Sequence, residues 1–197
     1  LKSLQLVLKL DARVADAYCE PITQEVMRLV KANAMQIRSH AGWRTITALL
    51  SITARHPEAS EVGFETLEFI MAASAHLLPA NYVLCINAAR QFAESRVGNV
   101  DRSIKSLDLM SGSFVCLVRW SSKTNEALGE ETASRMKQDI GEMWLRLVQG
   151  VSKICLDPRE EVRNHAILML QKSLTGVDGI DLVNELWLQC FDQVILT

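Results

Sequence analysis

Four glutamates in one short segment are the first residues whose types and spacing could do chemistry. They recur at helical spacing and form one acidic stripe: Glu58, Glu61, Glu65 and Glu68. Carboxylates grouped on one surface can hold a metal ion or share acid–base work. No histidine stands among them, and a charged stripe along a single helix is typical of a solvated face. The pattern therefore favours a solvated face over a metal or acid–base site.

A thiol and an imidazole form the second chemical candidate. Cys155 and His165 could approach each other across a turn, as a cysteine nucleophile and its base would. The sequence offers no third group to orient them, which favours a buried thiol and a surface imidazole. The five cysteines are odd in number and widely spaced, so they indicate buried thiols in a reducing compartment rather than disulfides. Motifs of the types GxxxxGK[ST], HExxH, GxSxG and CxxC are absent.

The charged residues give only a weak indication of a binding surface. The 197 residues carry a formal net charge of −2, so no global basic field predicts nucleic-acid binding. Basic residues do gather locally, and such a set is ordinarily a solvated helix face. Three of them are the candidate contact with an anionic membrane or a partner: Arg28, Lys31 and Arg38. No signal peptide and no apolar run long enough to span a bilayer is present.

The segment from Asp157 to Leu170 resembles the second helix of a HEAT repeat. Asp157 suits the N-cap and Pro158 the first helical position, where no N–H is needed. An apolar face follows at helical spacing: Val162, Ala166, Met169 and Leu170. In HEAT repeats an aspartate here and an arginine after the valine commonly bond within and between repeats. The resemblance gives those roles to Asp157 and Arg163, and we expect Arg163→Ala to cost roughly 1–3 kcal/mol.

Similar apolar faces run along the rest of the chain, and no segment alternates with period two for long enough to predict a strand. We predict an all-α fold, a HEAT/armadillo-like α-solenoid of antiparallel helix pairs. Its expected parts are helical repeats over 1–120, a polar exposed loop over 121–135 and HEAT-like repeats over 136–197. Within these parts, residues 22–39 are expected to form one helix, and Asp181 to cap the last one. The chain begins at Leu1 inside an apolar pattern, so we expect it to be a piece of a larger protein.

Several strings also resemble the plant GNOM-type (GBF/GNOM class) large Arf guanine-nucleotide exchange factors. They include Gly42-Trp43-Arg44-Thr45-Ile46, Arg90-Gln91-Phe92-Ala93-Glu94-Ser95-Arg96-Val97-Gly98 and Met143-Trp144-Leu145-Arg146-Leu147-Val148-Gln149-Gly150. The resemblance covers nearly the whole chain and points to the helical region downstream of the catalytic Sec7 domain. That family's catalytic glutamate lies in a Gly-Glu motif of the Sec7 domain. Gly129-Glu130 and Gly141-Glu142 share only the dipeptide, so no catalytic residue is carried over.

The resemblance implies a cytoplasmic protein, peripherally bound to Golgi and endosomal membranes, that activates Arf GTPases for vesicle budding. This chain would be a non-catalytic scaffold or regulatory segment without cofactor or metal. Its implied partners are the rest of the parent with its Sec7 domain, small GTPases, anionic membrane and a second copy in a homodimer. Two alternatives remain open. One is a HEAT/armadillo adaptor for peptides or cargo, unrelated to Arf exchange, and the other is an all-α enzyme, for which the sequence offers no catalytic constellation.

Overall fold

Helices account for most of the chain. The computed structural model describes residues 2–72, 75–127 and 129–196, and in these ranges it has eleven α-helices and no strand. The helices are α1 Lys2–Val7, α2 Ala12–Ala17, α3 Cys19–Asn33, α4 His40–Thr53, α5 Ser60–Met71, α6 Tyr82–Glu94, α7 Val100–Gly112, α8 Phe114–Ala127, α9 Glu130–Ile154, α10 Glu160–Thr175 and α11 Asn184–Cys190. Short 3₁₀ turns follow α3 and α10, and a π-helical turn, Phe191–Ile195, follows α11.

Helix pairs stack along the molecule in two layers. In one layer α3 packs against α5, and α7 packs against α10. In the other layer α4 packs against α6, and α6 packs against α9. Most helices thus contact a helix of the other layer as well as one of their own, for example α6 with α7 and α9 with α10, as in a solenoid. The predicted all-α solenoid is confirmed.

One apolar core runs through the whole array, from Val26 in α3 to Val194 after α11. Two fully buried tryptophans anchor it, and both indole N–H groups are satisfied. Trp43 donates from Nε1 to the carbonyl of Ile37 at 2.8 Å, and Trp144 donates to the carbonyl of Ser173 at 3.1 Å. Burying a tryptophan without leaving its N–H unpaired lets its large apolar area stabilise the fold in full.

The predicted polar loop over 121–135 is wrong. α8 runs to Ala127, and α9 begins at Glu130. Ser121 and Thr124 occupy buried positions of α8, and Thr124 Oγ1 donates to the carbonyl of Trp120 at 2.7 Å. Small hydroxyl side chains can be buried in a helix interface in this way because a backbone carbonyl of the preceding turn accepts a hydrogen bond from the hydroxyl. The division into repeats on either side stays a prediction.

Two predicted boundaries also differ. The segment 22–39 is not one helix, because α3 ends at Asn33 and a 3₁₀ turn precedes Ile37. Asp181 does not cap the last helix, because α11 begins at Asn184. The Asp181 carboxylate instead accepts a bond from Lys137 Nζ at 2.7 Å, which ties the segment before α11 to α9.

Candidate functional site

The ends of α4, α6 and α9 are joined by hydrogen bonds that cross from one helix pair to the next. Ser95 directly follows α6, and its hydroxyl donates to the carbonyl of Ala54 at the end of α4, at 2.5 Å. The Ser95 carbonyl in turn accepts a bond from Arg159 Nη1 at 3.0 Å. Arg159 lies between α9 and α10. We call this set, Ala54, Ser95, Asp157 and Arg159, the turn ladder.

Arg159 holds the ladder together. Its guanidinium donates to both oxygens of Asp157, from Nε and Nη2, at 2.8 Å each. It also donates to the carbonyl of Ala93 at 2.8 Å and to Ser103 Oγ at 3.0 Å. The side chain of Asp157 is 8% exposed and that of Arg159 is 20% exposed, so this is a largely buried, bidentate ion pair. One side chain thereby links the α9–α10 turn to the end of α6 and to α7.

This pairing favours the ionised form of both groups. The hydrogen bond from Arg159 is the largest cause that lowers the pKa of Asp157 below its usual value. The same bond raises the pKa of Arg159. Both groups therefore stay ionised at neutral pH, and their bidentate hydrogen bonds hold them to each other.

The structure brings the predicted pair Asp157 and Arg163 together, but not through the carboxylate. Arg163 Nη1 donates to the backbone carbonyl of Asp157 at 3.1 Å, and its side chain is half-buried. The carboxylate is bound by Arg159, and Arg159 rather than Asp157 holds the N-cap position, because α10 begins at Glu160 with Pro158 outside it. Sequence reasoning missed Arg159 because two arginines follow Asp157 closely, and only the path of the turn decides which one reaches it. The HEAT-type role of the predicted pair stays a prediction.

The predicted basic surface is partly neutralised. Arg28 pairs with Glu25 at 3.0 Å, and Lys31 pairs with Glu65 of α5 at 2.8 Å. Arg38 is exposed beyond the 3₁₀ turn and has no ion pair within the described residues. Because α3 ends at Asn33, Arg38 does not share a helix face with the other two. The three side chains therefore lie on two separate elements.

The thiol and imidazole candidates each have a different partner. Cys155 Sγ donates to the carbonyl of Val151 at 3.6 Å, whereas His165 Nε2 lies 2.7 Å from Asp108 Oδ1 on α7. The predicted buried thiols are confirmed for Cys19, Cys85, Cys116 and Cys190, while Cys155 is half-buried. Burial raises the pKa of Cys85 to about 12 and raises the pKa of Cys155, which keeps both protonated at neutral pH. Within the described ranges, no three His, Cys, Asp or Glu side chains come together as metal ligands.

Fold and contacts define the chain as a helical-repeat segment whose polar links hold one helix pair to the next. A family model described as "GBF1-like, tetratrico peptide repeat region" matches residues 144–197. That description names another class of helix-pair repeat than the HEAT class predicted from the sequence. No solved structure matches the chain.

The curated relatives match nearly the whole chain, whereas the family model matches only residues 144–197. The ARF guanine-nucleotide exchange factor GNOM of Arabidopsis thaliana is 68% identical over 197 residues, which is 100% of this chain and 14% of the relative. The ARF guanine-nucleotide exchange factor GNL1 of the same plant is 64% identical over 196 residues, 99% of this chain and 14% of the relative. GNL2 is 29% identical over 211 residues, 98% of this chain and 15% of the relative. The predicted resemblance is confirmed: over its whole length the chain is similar to a region of GNOM-type large ARF exchange factors, and it spans 14% of the length of GNOM and of GNL1.

Proposed function

We propose that this chain is a non-catalytic scaffold segment of a large Arf exchange factor, placed downstream of its Sec7 domain. The observation that carries this proposal is the turn ladder, in which Arg159 bonds the α9–α10 turn to α6 and α7. Such cross-links make helix pairs move as one body, which is what a segment needs in order to hold neighbouring domains in a set orientation. The similarity of the whole chain to GNOM and GNL1 supports a large Arf exchange factor as the parent.

The two Gly-Glu dipeptides have structural explanations that support this proposal. Gly141 is buried where α9 meets the last helix, and a Cβ there would lie 2.3 Å from Leu186 Cδ1. Gly129 directly precedes α9, and Glu130 is exposed in the first turn, where a carboxylate favours the helix dipole. Close packing and helix initiation account for both pairs.

The working place of the segment is proposed to be the cytoplasmic surface of Golgi or endosomal membranes, with the parent bound peripherally. No helix within the described residues combines the length and apolarity needed to cross a bilayer. Anionic lipid or a small GTPase would contact Arg28, Lys31 and Arg38. The rest of the parent, including its Sec7 domain, and a second copy in a homodimer are the other proposed partners.

Charge reversal in the parent tests the membrane surface. Changing Arg28, Lys31 and Arg38 to Glu should lower the membrane-bound fraction on sedimentation, because each cation near an anionic surface contributes about 1 kcal/mol. A matched control reverses three exposed cations elsewhere, Arg135, Lys153 and Lys172. Equal losses in both variants would indicate a general charge effect, and an unchanged bound fraction in the folded test variant would exclude this surface.

One observation favours the alternative of a peptide-binding adaptor. A cleft of about 700 Å³ between α9 and α11 has a mixed lining, in which amides such as Gln138, Asn184 and Gln189 stand beside Arg146, two glutamates and a few apolar side chains. Amides in such a cleft can form hydrogen bonds with the backbone of an extended peptide.

A double variant of the parent distinguishes the scaffold role from the peptide-binding role. Gln138→Ala with Gln189→Ala should leave membrane recruitment unchanged under the scaffold proposal, and should release cargo under the alternative.

A further inference from the structure

A groove separates α5 from α7 in a layer that is otherwise closed. α3 packs on α5, and α7 packs on α10, but α5 and α7 do not pack closely on each other. Two adjoining clefts of about 540 and 470 Å³ lie between them and share Glu68 and Lys105. The groove follows α7 along its 13 residues and ends at Val115. That is a length of roughly 20 Å, the length of about four helical turns.

The floor of this α5–α7 groove is apolar. Phe64 and Met71 contribute from α5, and Ile104 and Leu109 from α7. Val115 is 58% exposed at the far end. At the near end Arg102 crosses from α7, where its Nη1 donates to Ser60 Oγ at 2.9 Å and its guanidinium carbon lies 6.0 Å from the centre of the Phe64 ring. The apolar face of a bound helix could be buried against such a floor.

The walls carry an excess of negative charge. Five carboxylates and two basic side chains line the groove: Glu61, Glu65, Glu68, Asp101 and Asp108, with Arg102 and Lys105. Glu65 is paired with Lys31, and Asp108 with His165. Glu61, Glu68 and Asp101 form no ion pair within the described residues. Part of the predicted acidic stripe therefore faces a groove rather than open solvent alone.

We propose that the α5–α7 groove binds a cationic amphipathic helix of a partner protein. The apolar face of that helix would lie on Phe64, Leu109 and Val115, and its lysines or arginines would pair with Glu61, Glu68 and Asp101. Charge complementarity selects the partner, because an acidic helix would meet like charges along both walls. This binding role differs from that of the basic membrane surface proposed above, and the two surfaces adjoin where Lys31 pairs with Glu65 of the groove wall.

The probe is a fluorescein-labelled peptide of 16 residues with leucines on one helical face and lysines on the other. Fluorescence anisotropy measures its binding to the chain. The variant Glu61→Gln, Glu68→Gln, Asp101→Asn keeps side-chain shape and removes three charges, so the Kd should rise about tenfold. Its control carries Glu58→Gln, Asp139→Asn and Glu161→Gln, which removes the same charge from exposed positions outside the groove, and its Kd should match that of the unmodified chain.

Hydrogen exchange of the complex should show protection confined to α5 and α7. Equal weakening in the two variants, tight binding of a scrambled peptide of the same composition, or protection elsewhere would overturn the proposal. Sedimentation of the chain without peptide tests a second copy as the occupant, and a dimer abolished by the groove variant alone would replace the proposed partner. Peptide binding to the chain but not to the full parent would assign the groove to another segment of the parent instead.

Discussion

At the scale of single residues, Arg159 joins the α9–α10 turn to α7 and to the end of α6 by three hydrogen bonds. We predict that Arg159→Ala lowers the free energy of unfolding by about 2–4 kcal/mol, because it leaves the nearly buried Asp157 carboxylate unpaired and three acceptors without a donor. Arg163→Ala should cost about 1 kcal/mol, since one bond to a carbonyl is lost. Chemical denaturation of both variants checks the order.

Arg159→Lys is the control for charge alone. A lysine keeps the positive charge but cannot form the two parallel bonds to Asp157, so it should recover less than half of the loss. Equal unfolding midpoints for Arg159→Ala and Arg163→Ala would contradict the role given to Arg159.

The Asp157 carboxyl predicts a pH dependence whose sign follows from its pKa. Because Arg159 holds the pKa of Asp157 below its usual value in the folded chain, the ionised form contributes stability. That contribution is complete above the unfolded pKa of about 4 and is lost as pH falls through the lower, folded value. The stability gap between the unmodified chain and Asp157→Asn should therefore be constant from pH 6 to 8 and shrink below about pH 4. A gap that does not change below about pH 4 would show that the pair is not formed, because the folded and unfolded pKa values of Asp157 would then be equal.

The sequence could predict residues whose role depends on burial alone, and less well those whose role depends on a turn. The cysteines on apolar faces indicated buried thiols, and four of them are buried. The bond partner of Asp157 could not be predicted, because residues 155–159 leave the helix and bring Arg159, not Arg163, to the carboxylate. No periodicity describes such a turn.

At the scale of helices, the contact between α4 and α5 depends on a glycine. A Cβ at Gly63 would lie 1.9 Å from Thr53 Oγ1 and 2.8 Å from Thr53 Cβ, so Gly63→Ala should force the helices apart and cost about 1–3 kcal/mol. Gly112, in the last turn of α7, has no atom within 4 Å of such a Cβ. Gly112→Ala should therefore be neutral or stabilising by up to about 1 kcal/mol. Thermal unfolding of both variants measures the difference, and a stable Gly63→Ala protein would mean that α4 and α5 are not so close.

Helix existence was easier to predict than helix extent. The long apolar stripe of α9 and the HEAT-like pattern of α10 predicted two real helices. The segment 121–127 was interpreted as part of a loop because its inward positions carry Ser121 and Thr124 instead of large apolar residues. Helix propensity and a satisfied hydroxyl maintain α8 there without the periodicity on which sequence reasoning depends.

At the scale of the whole molecule, the array has large faces, a continuous core and apolar side chains exposed near both ends. Leu6 and Leu10 are exposed near one end, and Leu188, Phe191 and Leu196 near the other. Surfaces of this kind ordinarily contact further protein. The α5–α7 groove and the basic residues of α3 add two surfaces of opposite charge. The function proposed for these surfaces is binding to several partners.

Nucleotide release from Arf tests the central claim most directly. Dissociation of a fluorescent nucleotide from a purified Arf GTPase would be followed with the full parent exchange factor, with this chain alone and with buffer. The account predicts that the parent accelerates release, and that the chain alone, even in large molar excess, gives the rate of the buffer control. Acceleration by the chain alone, lost when it is unfolded, would contradict its assignment as a non-catalytic scaffold segment.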